Sequence, residues 1–220
     1  MDLIAQETGT KAMSRGCDTT DADQVSAAAT ALRAEFGPAD VMVNNAGIVG
    51  SGGPLESISR ESWQRVLDVN VTGHLLCTQE FGADMLERGS GSIVHVSSIC
   101  GVNPLPNAGA YSPSKAAVSM LSRQLASEWA TRGVRHTPLT ADYYSNPSIR
   151  KPREQLVPAG RIGVPEDVAD AFVWLTIPLS SYVTGQQILN RRRPRSGRSA
   201  HAADSDEHHR RLRRVAAITP

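Results

Sequence analysis

Two kinds of apolar spacing alternate along the chain. Val41 to Asn44 and Ser92 to Ser97 are short apolar runs that read as buried strands. Longer amphipathic segments lie between them, each bounded by residues that start or stop helices. Asp21 to Phe36 reads as a helix ended by Gly37-Pro38. Ser59 is a suitable N-cap for a long helix running to about Arg88, where Gly89 stops it. A further helix carries Tyr111 and runs to about Arg132, before Gly133. Pro165 to Thr176 reads as a helix with proline near its start. Lys11 to Cys17 is expected as a short strand, and Val134 to Leu139 as another that Pro138 weakens. This alternation predicts an α/β fold with a parallel sheet covered by helices. Ligands in such sheets sit at the carboxyl ends of the strands, where Asn45, Ser98 and the loop after Leu139 fall.

The candidate chemistry lies in Tyr111-Ser112-Pro113-Ser114-Lys115, with Ser98 thirteen residues before the tyrosine and Asn70 further upstream. Residues four apart on a helix share a face. An ammonium beside a phenol favours the phenolate and lowers a tyrosine pKa from its ordinary value of about 10. Such a phenol exchanges protons with a carbonyl or an alcohol. A serine hydroxyl on the same oxygen steadies the developing charge. An isolated Tyr-x-x-x-Lys is most often a surface pair, so the neighbouring blocks decide its meaning.

Those blocks run in order. They are Cys17 to Asp21, Asp40 to Gly47 with its Asn-Asn-Ala-Gly turn, Asp68 to Gly73, Ser92 to Ser98, Tyr111 to Lys115, Gly160 to Ala169 and Ser181 to Gln186. Together they resemble the short-chain dehydrogenase/reductase family over about residues 10 to 189. The resemblance implies a Rossmann-like doubly wound parallel sheet, here lacking the first βαβ portion. It implies hydride transfer between NAD or NADP and an alcohol or ketone. Tyr111 would be the general acid/base, Lys115 would depress its pKa and hold the nicotinamide ribose, and Ser98 would orient the substrate oxygen. Ser97 is the neighbouring alternative, disfavoured by its spacing to Tyr111. Asn70 would kink its helix around a water that relays protons to Lys115. Asp18, with Thr19 adjacent, would contact adenine or cap the next helix. Asn45, Ala46 and Gly47 would line the cofactor ribose or form a tight structural turn.

Three departures qualify the resemblance. The family opens with a strand, a glycine-rich turn and a helix, and such turns let backbone amides approach a pyrophosphate. Here Gly47, Gly50, Gly52 and Gly53 cluster after the wrong strand. The chain is therefore expected to begin inside the family's second helix, leaving Val41–Asn44 with an unpaired edge that a dimer partner covers. Ala141-Asp142 stands where the family has Pro-Gly, and Asn190 leads into an arginine-rich segment instead of Asp-Gly-Gly. These departures support an alternative: an inactive remnant or interaction module without a phosphate-binding loop.

Composition and charge refine the division of the chain. The net charge of +1 hides an asymmetry. Residues 1–190 hold 14 Lys+Arg against 19 Asp+Glu, while residues 191–220 hold 9 arginines against 3 acids. A partial Rossmann-like domain over 1–190 and a disordered tail over 191–220 are expected. The tail suggests no specific nucleic-acid site, because aromatic interleaving is missing. Cys17, Cys77 and Cys100 have no metal or redox spacing, which suggests a reducing cytoplasm. No metal site, no membrane contact and a homo-oligomer are expected. The substrate lid, about Tyr143 to Pro158, carries Tyr143, Tyr144, Asn146 and Arg150, which would suit a sugar or polyol. His95 reads as a packed or edge histidine. His208-His209 lacks partners for a metal, and Trp63, Trp129 and Trp174 read as packing residues.

Overall fold

The computed structural model describes residues 8–141, 164–189 and 215–217. Among the described residues, five parallel strands form one sheet in the order β4-β3-β2-β1-β5. They are β1 (Val41–Asn44), β2 (Gly91–Ser98), β3 (Val134–Ala141), β4 (Ile188–Leu189) and β5 (Val215–Ala217). The helices are α1 (Ala22–Phe36), α2 (Arg60–Leu67), α3 (Gly73–Arg88), α4 (Tyr111–Trp129) and α5 (Pro165–Thr176). The expected α/β architecture with a parallel sheet is what the chain forms.

The helix boundaries follow local chemistry. The Asp21 carboxylate accepts from the backbone N–H groups of Asp23 and Gln24 and starts α1. Ser59 accepts from Ser62 N–H and starts α2. Gly89, with φ 67°, ends α3. Between α2 and α3 the helix does not simply continue. Asp68–Thr72 forms a π-helical turn with Asn70 at its centre, and Gly73 N–H reaches back to Asp68 C=O.

Helices cover both sheet faces. On one face, Met42 and Ile93 pack against Val25, Ala28 and Ala29 of α1 and Cys77, Phe81 and Met85 of α3. On the other, Val94 and Leu139 pack against Leu175 of α5. Full burial of such a side chain contributes roughly 1.5–3 kcal/mol, so these alternating strand positions fix the register. Arg33 ties α1 to α3 through Glu80 at 2.9 Å and Asp84 at 2.6 Å.

Three expectations need correction. Residues 11–17 form no strand, although Cys17 is buried against the α1–α3 core. A strand needs a ladder partner, and the outer side of β1 is already paired. Val41–Val43 run parallel to Val215–Ala217, so the β1 edge is covered within the chain. These three residues of the expected disordered tail are therefore regular strand. Finally, Pro138 does not interrupt β3. It faces His95 on β2, and pairing to β4 begins only at Leu139, so its missing N–H falls where β4 offers no partner. Asp142, the lid residues and His208-His209 lie outside the described residues.

Candidate active site

The site sits at the carboxyl ends of β1 and β2, against the first turn of α4. Ser98 is the last residue of β2, and Tyr111 and Lys115 lie one turn apart on α4. Lys115 is buried, and its ammonium donates to Val96 C=O at 2.9 Å. It lies 5.9 Å from the centre of the Tyr111 ring. Burial lowers the Lys115 pKa to about 8, because an ammonium removed from water lacks hydration. A phenolate or other anion beside it would raise that value again.

Ser97 and Ser98 take different roles. The Ser97 hydroxyl donates to Lys115 C=O at 2.7 Å and sits 2.8 Å from the Ser119 hydroxyl. It is committed to holding β2 against α4. Ser98 Oγ instead accepts from Cys100 N–H at 3.2 Å. That leaves its own proton to give.

Asn70 joins three segments. Its Oδ1 accepts from Ile48 N–H at 2.8 Å. Its amide nitrogen donates to Ile48 C=O at 2.9 Å and to Ser114 Oγ at 2.8 Å. Ser114 in turn donates to Tyr111 C=O at 2.7 Å. The side chain therefore fastens the Asn-Asn-Ala-Gly turn to the first turn of α4, and both amide hydrogens are engaged in doing so. Gly47 packs against the same point. A Cβ there would lie 3.1 Å from Asn70 Oδ1 and 3.2 Å from Lys115 Nζ.

The remaining sequence candidates lie along the β1 side. Thr19 is buried and packs on Gly73, where a Cβ would approach Thr19 Oγ1 to 2.8 Å. Asp18 accepts from Thr20 N–H and Oγ at 2.9 and 2.8 Å, bonds that lower its pKa. Asp18 thus shapes the turn before α1, while Asp21 is the cap. Asn45 and Gly47 are exposed and Ala46 is buried. A shallow cleft is lined by Thr19, Met42, Val43, Asn44, Asn45, Ala46, Cys77 and Phe81. The two groups of candidates are thus continuous along β1 and its turn.

The partners of several residues in this region carried no readable sequence signal. Asn44 is buried and donates to His74 C=O at 3.2 Å and Thr78 Oγ at 2.9 Å. It also lies 3.3 Å from His95 Nδ1. His95 Nε2 lies 3.4 Å from His136 Nδ1. His136 meets Trp129 edge to face, with centres 4.9 Å apart. His74 Nε2 lies 3.0 Å from Ala46 C=O. Both Asn44 amide hydrogens point at His74 C=O and Thr78 Oγ, and the His95 and His136 rings stack beside them with centres 5.7 Å apart. A column of histidines therefore crosses the core behind the Asn-Asn-Ala-Gly turn. His95 is packed, as one of its two readings had it. Trp129 is also a packing residue, whereas Trp174 is 40% exposed.

The family model described as enoyl-(acyl carrier protein) reductase matches residues 1–190. The chain belongs to the short-chain dehydrogenase/reductase family. Among family members, 3beta-hydroxysteroid dehydrogenase 1 of Eggerthella lenta is 38% identical over 84% of this chain and 74% of its own length. Galactitol 2-dehydrogenase (L-tagatose-forming) of Cereibacter sphaeroides is 39% identical over 84% of this chain and 77% of its own. The crystal structure of NAD+-bound xylitol dehydrogenase superposes with a TM-score of 0.80 at 25% identity, covering 85% of this chain and 81% of that one. A gluconate 5-dehydrogenase from Burkholderia cenocepacia, in complex with NADP and tartrate, superposes with a TM-score of 0.73 at 28% identity, covering 78% and 71%. These are oxidoreductases of Rossmann fold, and this chain shares that fold. No helix among the described residues is long and apolar enough to cross a membrane.

The residues present fit a nicotinamide cofactor at two points. The Gly47 backbone, the Lys115 ammonium and Tyr111 form a surface without a Cβ in the way, suited to a ribose. The Thr19–Ala46 cleft offers an apolar wall beside the exposed Asn45. Among the described residues, the glycine cluster Gly47, Gly50, Gly52 and Gly53 follows β1, and no other strand is followed by such a cluster.

Proposed function

We propose that the protein is an NAD(P)-dependent oxidoreductase that interconverts an alcohol and its carbonyl. The observation that carries this reading is the buried Lys115 ammonium set over the Tyr111 ring, with Ser98 at the adjacent strand end. Bound cofactor, NAD or NADP, supplies or accepts the hydride. Tyr111 gives its phenolic proton to the carbonyl oxygen in reduction and takes it back in oxidation. Lys115 stabilises the phenolate that remains, and the phenolate in turn keeps the buried ammonium charged. Ser98, already accepting from Cys100 N–H, directs its own proton at the same oxygen. Asn70 and Ser114 hold the α4 turn that carries Tyr111, and Gly47, Asn45, Ala46 and Thr19 lie along the cofactor with Asp18 at its adenine end. Relatives named for galactitol and D-threitol support an alcohol substrate, and a polyol or sugar is the narrower form of that reading. A homo-oligomer and a cytoplasmic location complete the proposal.

The test is a fluorescence titration of the purified chain with NADH and NADPH, using heat-denatured protein as control. Saturable micromolar binding is expected. Tyr111→Phe is expected to keep that binding and to lose about 10²–10⁴-fold in turnover of an alcohol substrate. Absence of binding up to millimolar cofactor would refute the enzyme reading and leave a folded interaction module.

A further inference from the structure

Ladder pairing of β1 stops at Asn44, so the turn beyond it needs other partners for its backbone. Two side chains from the start of α3 and the π-helical turn before it supply them. Asn70 grips Ile48, accepting from its N–H at 2.8 Å and donating to its C=O at 2.9 Å. His74, four residues further on, brings Nε2 to 3.0 Å from Ala46 C=O. Gly47 is thus held from both sides. It lies against Asn70 Oδ1 and Lys115 Nζ, where a Cβ would stand 3.1 and 3.2 Å away. The pose of this turn sets the room a ribose finds beside Lys115 and Tyr111.

His74 is placed to give one hydrogen bond. A carbonyl oxygen only accepts, so Nε2 carries the proton. Among the described residues, Nδ1 has no partner. Burial and the nearby Lys115 charge lower the ring's pKa to about 4, so it is a neutral donor at ordinary pH. Its backbone is fixed as well: Thr78 Oγ donates to His74 C=O at 2.7 Å and the Asn44 amide at 3.2 Å. The ring is 1% exposed, and Ala46 is buried. Removing the donor would leave the Ala46 carbonyl without it, and the turn would relax to find another partner.

We propose that His74 is a positioning residue: with Asn70 it clamps Ala46–Ile48 in the shape that receives the nucleotide ribose. It sets cofactor affinity and takes no part in proton transfer. The ligand's identity rests on the proposed oxidoreductase reading, whereas the clamp itself is a property of the free chain. The test uses two variants of the full chain. His74→Leu fills a similar volume without a donor, and His74→Gln places an amide nitrogen where Nε2 stood. Circular dichroism checks that both fold. Without cofactor, amide hydrogen exchange at Ile48 is expected to be about tenfold faster in His74→Leu and near native in His74→Gln, with Phe81 on α3 unchanged in both. NADH or NADPH should bind His74→Leu about tenfold more weakly, and His74→Gln should recover most of that loss. Turnover at saturating cofactor should stay within about twofold of native. Histidine nitrogen NMR of the native chain should show the His74 proton on Nε2, and a proton on Nδ1 would overturn the clamp without any variant. Native exchange or native affinity in His74→Leu would also overturn it. So would His74→Gln as weak as His74→Leu, or a loss of turnover at unchanged affinity. A native chain that binds neither nucleotide strikes the oxidoreductase reading, and exchange at Ile48 then still decides the clamp.

Discussion

The histidine column makes acid lability a quantitative expectation. His74, His95 and His136 are 1%, 0% and 0% exposed. Burial lowers the pKa of His74 and of His136 to about 4, and lowers that of His95 well below its ordinary value. Neighbouring cations add to this: Lys115 opposes charge on His74, and the other two histidines oppose it on His95. Among the described residues, His74 Nδ1 and His136 Nε2 have no hydrogen-bond partner, so no acceptor there waits for a proton. The folded pKa lies below the unfolded value of about 6.5. Stability is therefore fully present above that value and is lost as pH falls toward 4, because the unfolded chain binds protons the folded one refuses. At pH 5.5 the linkage relation gives a loss of about 1.4 kcal/mol for each of His74 and His136, so about 3 kcal/mol for the two, and His95 adds to it in the same direction. A domain of this size has a total stability of only about 5–15 kcal/mol. Urea melts followed by circular dichroism at pH 7.5, 6.5 and 5.5 measure this. With a urea dependence of about 2 kcal/mol per molar, the midpoint should fall by about 1.5 M or more. His136→Val should remove its own share of the pH dependence, about 1.4 kcal/mol, whatever it does to stability at pH 7.5. A flat profile between pH 7.5 and 5.5, or a slope unchanged in His136→Val, would refute the assignment.

Two further outcomes follow from backbone packing. Gly133 has φ +81°, and a Cβ there would stand 1.9 Å from Gly89 C=O. Gly133→Ala should therefore destabilise by about 2 kcal/mol or more in thermal melts, and a neutral result would contradict the close approach of these two turns. Ending the chain before Val215 removes β5 and bares the apolar Val41–Val43 edge. Light scattering should then report faster aggregation on warming, and unchanged behaviour would mean that β5 does not protect the edge.

Much of the fold was legible because its signals are local. Asp21, Ser59, Gly89 and Pro165 are capping residues whose effect depends on a few neighbouring backbone groups. Tyr111 and Lys115 were legible together because helical spacing alone brings them onto one face. Strand pairing was less readable. Residues 11–17 looked extended, but whether a segment becomes a strand depends on what lies beside it in space. The covering of β1 by Val215–Ala217 joins residues more than 170 positions apart, which no local pattern records.

The same division holds at the site. Sequence determined the family, the order of the elements and the identities of Asn70, Ser98, Tyr111 and Lys115. Tertiary structure decided what each one touches. It separated Ser97, which bonds the Lys115 carbonyl, from Ser98, whose proton remains to be given. It brought Ser114 between Asn70 and Tyr111. It also lined up His74, His95 and His136 from α3, β2 and β3, although their spacing in the chain suggests no cluster. Periodicity reports which way a side chain faces. Hydrogen-bond partners and burial depend on the packing of segments distant in sequence, so the charges and proton positions at this site exist only in the folded chain.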